Sequence, residues 1–268
     1  MNDLQKKELE LLKCFTEICD RLGLRYYLVC GSALGAVKYG GFIPWDDDVD
    51  VGLLREDYEL FLEQAPALLP EHLFLQNYRT DPAFPAIFSK LRNSDTTFIE
   101  RSAASLPIHH GIYIDIFPLD GYPRDMKEQR KLELKKWCYR WSLALAFLPK
   151  RKWKQLLTAP IRALGIHRHT AKIARRYENL ISQYPTKNSD LIANHGNWQG
   201  KLEYAPACQY GDGVWGEFEG MKVRLPAQTD AYLRQKYGDY EKDLPIEQQV
   251  GHHDYTVCDC SRSYRDYL

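Results

Sequence analysis

Gly31-Ser32-Ala33-Leu34-Gly35-Ala36-Val37-Lys38, followed by Gly41-Phe42-Ile43-Pro44-Trp45-Asp46-Asp47-Asp48-Val49-Asp50-Val51, sets a small-residue turn ahead of a short strand with four carboxylates in five residues. Residues two apart on a strand face the same way. Asp48 and Asp50 therefore aim at one point, while Val49 and Val51 turn to the core. Two carboxylates about 4 Å apart repel by ~4 kcal/mol at an effective dielectric of about 20. A hard cation offsets that repulsion, and Mg²⁺ with oxygen ligands and a phosphate fits the pattern best. Asp46 is a further ligand or stands just behind the ligands. Acidic triplets are often no more than solvated turns. Here Ile43, Trp45, Val49, Val51, Leu53 and Leu54 hem the cluster, as suits a half-buried strand.

The preceding segment has its own chemistry. Residues 25–30, Arg-Tyr-Tyr-Leu-Val-Cys, read as a strand, and residues 33–38 open a short helix with Ser32 as its N-cap. Backbone N–H groups at Gly31 and Ser32, with no bulky side chain in the way, suit an anion. Further on, Ile112, Ile114 and Ile116 alternate with Tyr113, Asp115 and Phe117. A carboxylate in such an apolar strand needs a partner, and a metal shared with Asp48 and Asp50 supplies one. Asp120, after a proline, reads as a loop or cap residue. Residues 84–100 read as a hairpin turning at Asn93-Ser94-Asp95, with Lys90 and Arg92 on one face as phosphate-gripping candidates or solvated charges.

These residues carry a family resemblance. The run from Gly31 through Lys38 to Gly41–Asp50 resembles the signature of the LicD family, phosphocholine transferases of bacterial surface glycans such as teichoic acid and lipopolysaccharide, related to fukutin-type sugar-phosphate transferases. It is also similar to the wider nucleotidyltransferase pattern of a Gly-Ser turn before Asp-x-Asp. Residues 111–120 resemble the second family block and supply the third carboxylate, Asp115. Phe218-Glu219-Gly220 through Tyr237-Gly238-Asp239-Tyr240 resembles the closing block.

The resemblance implies an α/β (α+β) fold: a nucleotidyltransferase-type mixed β-sheet flanked by helices, with an added helical region. The divisions expected are a catalytic core over 1–123, a basic helical region over 124–185 and a C-terminal segment over 186–268 that packs on the core. The implied activity is transfer of a phosphocholine-type group from a CDP-linked donor to a hydroxyl of a glycan or its lipid-linked precursor. Asp48, Asp50 and Asp115 are then the catalytic and metal-binding residues for Mg²⁺ or Mn²⁺, with Asp46 beside them. Asp115 is also the candidate acceptor of the hydroxyl proton. Gly31, Ser32, Lys38, Lys90 and Arg92 hold phosphate. Choline needs an aromatic or acidic pocket, for which Tyr39, Trp45, Trp198, Tyr210 and Trp215 are candidates. Two other enzymatic readings keep the site: transfer of ribitol phosphate or a sugar phosphate, and attack on a free nucleotide with release of pyrophosphate. A non-catalytic binding protein is the third class, against which the full set of three acids argues.

Length and charge narrow the class. The 268 residues, 44% hydrophobic, suffice for one sizeable core. Net charge is zero, which argues against a nucleic-acid partner, yet residues 124–176 hold 16 Lys and Arg against 3 Asp and Glu. That segment is expected to be helical, broken at Pro149 and Pro160, and it interleaves Trp137, Trp141 and Trp153 with basic residues. It reads either as a helical subdomain with solvated charges or as a peripheral contact with an anionic membrane face. Seven scattered cysteines suit reduced thiols, and no signal-like or spanning segment is visible, so a cytoplasmic protein at or near the inner membrane face is the expectation. His252, His253, Cys258 and Cys260 have zinc-compatible types without a zinc-site spacing, and unbound terminal residues are the safer reading.

Overall fold

The computed structural model describes residues 1–147, 152–163, 169–197, 199–251 and 253–268. Pro149, Lys150, Arg151, Trp198 and His252 lie outside the described residues, as do the side chains of Lys152, Trp153 and Lys154. In chain order the elements are α1 (Asp3–Leu22), β1 (Tyr26–Leu28), α2 (Cys30–Tyr39), β2 (Asp50–Leu54), α3 (Arg55–Gln64), β3 (Leu73–Gln76), β4 (Ser89–Asn93), β5 (Thr97–Glu100) and β6 (Ile112–Gly121). There follow α4 (Met126–Ala144), α5 (Lys152–Ala163), α6 (Thr170–Ile181), β7 (Leu191–Asn194), β8 (Tyr204–Pro206), α7 (Ala207–Tyr210), β9 (Val214–Phe218), β10 (Met221–Leu225), α8 (Thr229–Tyr237) and β11 (Tyr255–Asp259).

The main sheet runs β1-β2-β6-β4-β3, and β7 and β8 extend it from the far half of β6. β2 and β6 are parallel and their neighbours antiparallel, the mixed α/β arrangement expected. Strand alternation divides β6 between two faces. Ile112, Ile114 and Ile116 join the core, where α1 lays down Leu11, Leu12, Phe15 and Ile18, and α3 adds Tyr58 and Phe61. Tyr113, Asp115 and Phe117 turn to the opposite face. α1 forms as its apolar spacing requires: Asn2 and Gln5 cap it reciprocally at 2.8 and 3.0 Å, and Gly23 ends it in the left-handed conformation.

Several expectations meet a different outcome. The 84–100 hairpin does not form: β4 pairs with β3 and β6, while β5 pairs with β11 from the far end of the chain. Ser32 is not an N-cap, because α2 already starts at Cys30 with Val29 in the cap position. β2 begins at Asp50, so Asp46, Asp47 and Asp48 belong to the loop before it. Pro160 lies within α5 rather than breaking it. The hairpin at Glu219-Gly220 does form, with φ of 49° and 77° at its two central residues, as a tight two-residue turn demands.

Asp120 is neither loop nor cap. It lies in β6, fully buried, and accepts two hydrogen bonds from Arg55 at the start of α3, at 2.7 and 2.8 Å. The same guanidinium reaches Glu178 of α6 at 3.0 Å, and Arg79 donates to Glu178 at 2.8 Å. Removing one partner of a buried ion pair strands the other charge away from water, at a cost of roughly 3–5 kcal/mol. Asp120→Ala is therefore expected to destabilise the protein by about that amount in urea unfolding. A loss below about 1 kcal/mol, the scale of surface pairs, would mean that the network does not tie the helical region to the sheet.

Candidate active site

The ladder between the parallel strands places Asp50 directly beside Asp115. The Asp50 N–H donates to Ser32 Oγ at 2.8 Å, so Ser32 fixes the start of β2 rather than capping a helix. The acidic loop closes over this pair. Oxygens of Asp46, Asp47 and Asp48 all fall within 4.8 Å of one another. Among the described residues this is the one group of His, Cys, Asp or Glu with atoms that close, and His253, Cys258 and Cys260 form no such group. Two distant segments hold the loop in place. Gln5 of α1 donates to the Asp46 carbonyl at 3.1 Å, and Glu219 at the hairpin tip accepts from Phe42 N–H at 3.1 Å while its own N–H donates to the Gly40 carbonyl at 2.8 Å.

The electrostatics follow from burial and crowding. Burial, then the Asp47 charge, pushes Asp46 up to about 6; burial, then Asp46, pushes Asp48 up to about 7. Asp50 is driven well above the carboxylate range by burial, Asp48 and Asp115. Glu8, buried in α1 near the same loop, is raised well above it too. The Lys236 charge bears on Asp50, and Lys90 and His253 make the direct contacts. Lys90 Nζ sits 3.0 Å from Asp115 Oδ1 and 3.9 Å from Glu100, over the Tyr113 ring. Burial pushes Glu100 up, but Lys90 and Arg92 outweigh it and hold its carboxyl below the usual value. His253 Nδ1 lies 2.9 Å from Asp47 Oδ1, its backbone N–H donates to Asp47 Oδ2 at 3.1 Å, and its Nε2 is 4.0 Å from Asp48. Burial alone would lower the imidazole; the Asp47 hydrogen bond and the Asp48 charge instead raise it to about 9. Gly251 permits this approach, since a Cβ there would stand 2.7 Å from Asp47 Oδ2.

Two clefts meet at this floor and share Asp48, Asp50, Asn197 and His253. The first, about 320 Å³, adds Asp115, Lys90 and Glu100 and is walled by Phe84, Phe88, Phe117, Ile108 and Leu143. The second, about 370 Å³, is walled by Gly31, Lys38, Tyr39, Trp45, Tyr237 and Tyr240. A side chain at Gly31 would stand 2.9 Å from Asp46 Oδ2, so only glycine lets the acidic loop approach the first turn of α2 so closely.

The expected residues divide accordingly. Asp48, Asp50, Asp115 and Lys90 line the first cleft, and Gly31, Lys38, Asp46, Asp48 and Asp50 line the second; Asp50 and Asp115 do not join the close group of Asp46, Asp47 and Asp48. Lys38 is engaged by Asp243 at 2.9 Å and by the Tyr240 and Lys242 carbonyls. Arg92 is not brought to either cleft: it is fully buried and donates to Gln76 and to the Gly111 carbonyl. Of the aromatic candidates, Tyr39 and Trp45 stand in the second cleft, Tyr210 is core, packed on Tyr27 and Tyr232, and Trp215 is covered by Lys222 and Arg224. His253 as a partner of the acidic loop, and the phenylalanine wall, had no sequence signal: both depend on pairings between segments far apart in the chain.

Residues 23–143 match the nucleotidyltransferase domain family described as LicD/FKTN/FKRP. Over 257 residues, 91% of this chain and 92% of the other, the sequence is 28% identical to the lipopolysaccharide cholinephosphotransferase LicD of Haemophilus influenzae. A 40-residue stretch, 15% of this chain and 8% of the relative, is 50% identical to the human ribitol 5-phosphate transferase FKRP.

A folded carboxyl that holds its proton more tightly than the unfolded one supports the fold at low pH and loses that support as pH rises through the raised value. Asp48, moved from 3.8 to about 7, does so across that window. In EDTA, Asp48→Asn is expected to match the parent at about pH 4 and to exceed it by a few kcal/mol at about pH 7, at ~1.4 kcal/mol per pKa unit. Urea titrations at the two pH values check this. A difference that does not change with pH would mean that the Asp48 charge is not opposed.

Proposed function

We propose that the chain, whose residues 23–143 match the LicD/FKTN/FKRP nucleotidyltransferase domain family, is a phosphotransferase that moves a phosphocholine group from a CDP-linked donor to a hydroxyl of a glycan or its lipid-linked precursor. The observation that carries this is the pairing of Asp50 with Asp115 on adjacent parallel strands, with Asp48 beside them, at a floor where two clefts meet. Two clefts at one acidic floor suit a reaction with two substrates. The whole-length similarity to a cholinephosphotransferase supports the passenger.

The donor set fits a divalent cation. Its ligands are carboxylate oxygens, and burial and mutual repulsion push them toward protonation despite the nearby charges of Lys90, His253 and Lys236. Asp48, Asp50 and Asp115 would hold Mg²⁺, with Asp46 adjoining. Bound there, the ion would neutralise charge on the donor's pyrophosphate. The protein's own groups do the rest. The second cleft takes the cytidine nucleotide, with Tyr39 and Trp45 offering ring faces and Lys38 its charge. The first cleft takes the acceptor hydroxyl and the choline headgroup, whose cation suits phenylalanine faces next to Glu100. The acceptor oxygen forms its bond to the phosphorus, the bond to the CMP oxygen breaks, and Asp115 accepts the hydroxyl proton. Lys90 holds Asp115 in place for that role.

A second reading, ribitol phosphate transfer, is favoured by the similarity to the FKRP transferases. A product assay by mass spectrometry with CDP-choline, CDP-ribitol and CTP separates the readings. CMP release with phosphocholine on the acceptor is expected, and Asp50→Asn is expected to lower that rate roughly a hundred- to a thousandfold while leaving the fold intact. Turnover of CDP-ribitol alone would replace the passenger. Pyrophosphate release from CTP would replace the reaction.

A further inference from the structure

Helix α4 has two apolar sides, and the fold uses one of them. At about 100° per residue, Leu132, Lys136, Tyr139 and Leu143 fall on the side packed against α6, together with Tyr122, Ala174 and Tyr177. Leu134, Trp137 and Trp141 fall on the other, 66%, 60% and 56% exposed, with the two indoles in edge contact at 5.9 Å. Exposed tryptophans one turn apart, with no fold-stabilising role, mark an interaction surface. Lys127 and Arg130 interleave on this outer side and Lys131 borders it, all exposed, and among the described residues none is ion-paired, while Lys135 shares the flank with Glu128. The acids of α4 lie elsewhere: Glu133 is held by Lys136, Tyr122 and Tyr204, and Glu128 falls on the flank. The adjoining α6 carries exposed Lys172, Arg175 and Arg176.

We propose that the outer face of α4 docks the protein on an anionic phospholipid surface. The chemistry is that of a headgroup layer: indole rings and a leucine for the acyl boundary, and Lys and Arg whose stems lie along it while their charges reach phosphates. A second copy of the chain fits poorly, because a two-fold contact sets the same patch against itself and would oppose three unpaired cations to their own equivalents. No helix among the described residues is long and apolar enough to cross a bilayer, so the contact is superficial. The inner side of the same helix lends Arg140 and Leu143 to the phenylalanine cleft. One rigid element thus faces the lipid with one side and the cleft with the other. The docking does not depend on which group is transferred.

Co-sedimentation of the full chain with vesicles tests this, using phosphatidylcholine alone or with one third phosphatidylglycerol, at low and high salt. Partition is expected to rise at least about tenfold with the anionic lipid and to fall with ionic strength, with a blue shift of tryptophan emission. Trp137→Ser with Trp141→Ser, and separately Lys127→Gln with Lys131→Gln, are each expected to lower it about tenfold while circular dichroism and turnover on a soluble acceptor stay unchanged. No partition at low salt, equal partition into both vesicle types, or a dimer in sedimentation velocity that the tryptophan variant abolishes would each overturn the proposal. The last result would assign the patch to a subunit interface.

Discussion

Crowded carboxylates at the head of a parallel strand pair are the constraint around which the rest is arranged. The β2–β6 ladder leaves Asp50 and Asp115 no freedom to separate, because the backbone hydrogen bonds that hold the sheet also hold the two acids side by side. The protein answers the repulsion incompletely. Lys90 leans on Asp115 and Glu100, His253 closes on Asp47, and the remaining charge is opposed by burial. Such a floor attracts positive charge, and that attraction is what binding can draw upon.

The same strand shows the opposite design five residues on. Asp115 and Asp120 fall on opposite faces of β6 by alternation. Asp120 is matched by a bidentate guanidinium, and its network continues to Glu178 and Arg79. A satisfied buried ion system fixes the position of α3 and α6 against the sheet. An undersatisfied one, across the sheet, is left for chemistry. Sequence composition does not distinguish the two; the identity of the facing side chain does.

Local signals in the chain were readable where local physics decides the outcome. The α1 spacing and its glycine stop and the Glu219-Gly220 turn each follow from contacts within a few residues, and each appears in the structure, whereas of Asp48-x-Asp50 only Asp50 lies on the strand. Long-range pairing was not readable in this way. Asp120 follows a proline and looks like a turn until Arg55 is placed opposite it. β5 has the composition of a hairpin arm, yet its partner lies more than a hundred residues later. Lys90 and Arg92 share a strand face as expected, with Tyr113 beneath both, but one neutralises Asp115 and the other is sealed in the core. His253 shows only zinc-compatible chemistry in the sequence, because nothing in its neighbourhood names Asp47.

Besides Gln5 of α1, two segments that clasp the acidic loop come from late in the chain: Glu219 at a hairpin tip, and His253 behind Gly251 on the approach to β11. The loop itself is made first. During synthesis the aspartates therefore leave the ribosome long before these two fasteners, and β1, β2 and β6 can pair while the loop is still open. The acidic loop thus cannot gain its last two clasps until the chain has been made through residue 253. A chain interrupted before residue 219 would lack both, and its aspartates would be held by Gln5 alone of these three fasteners.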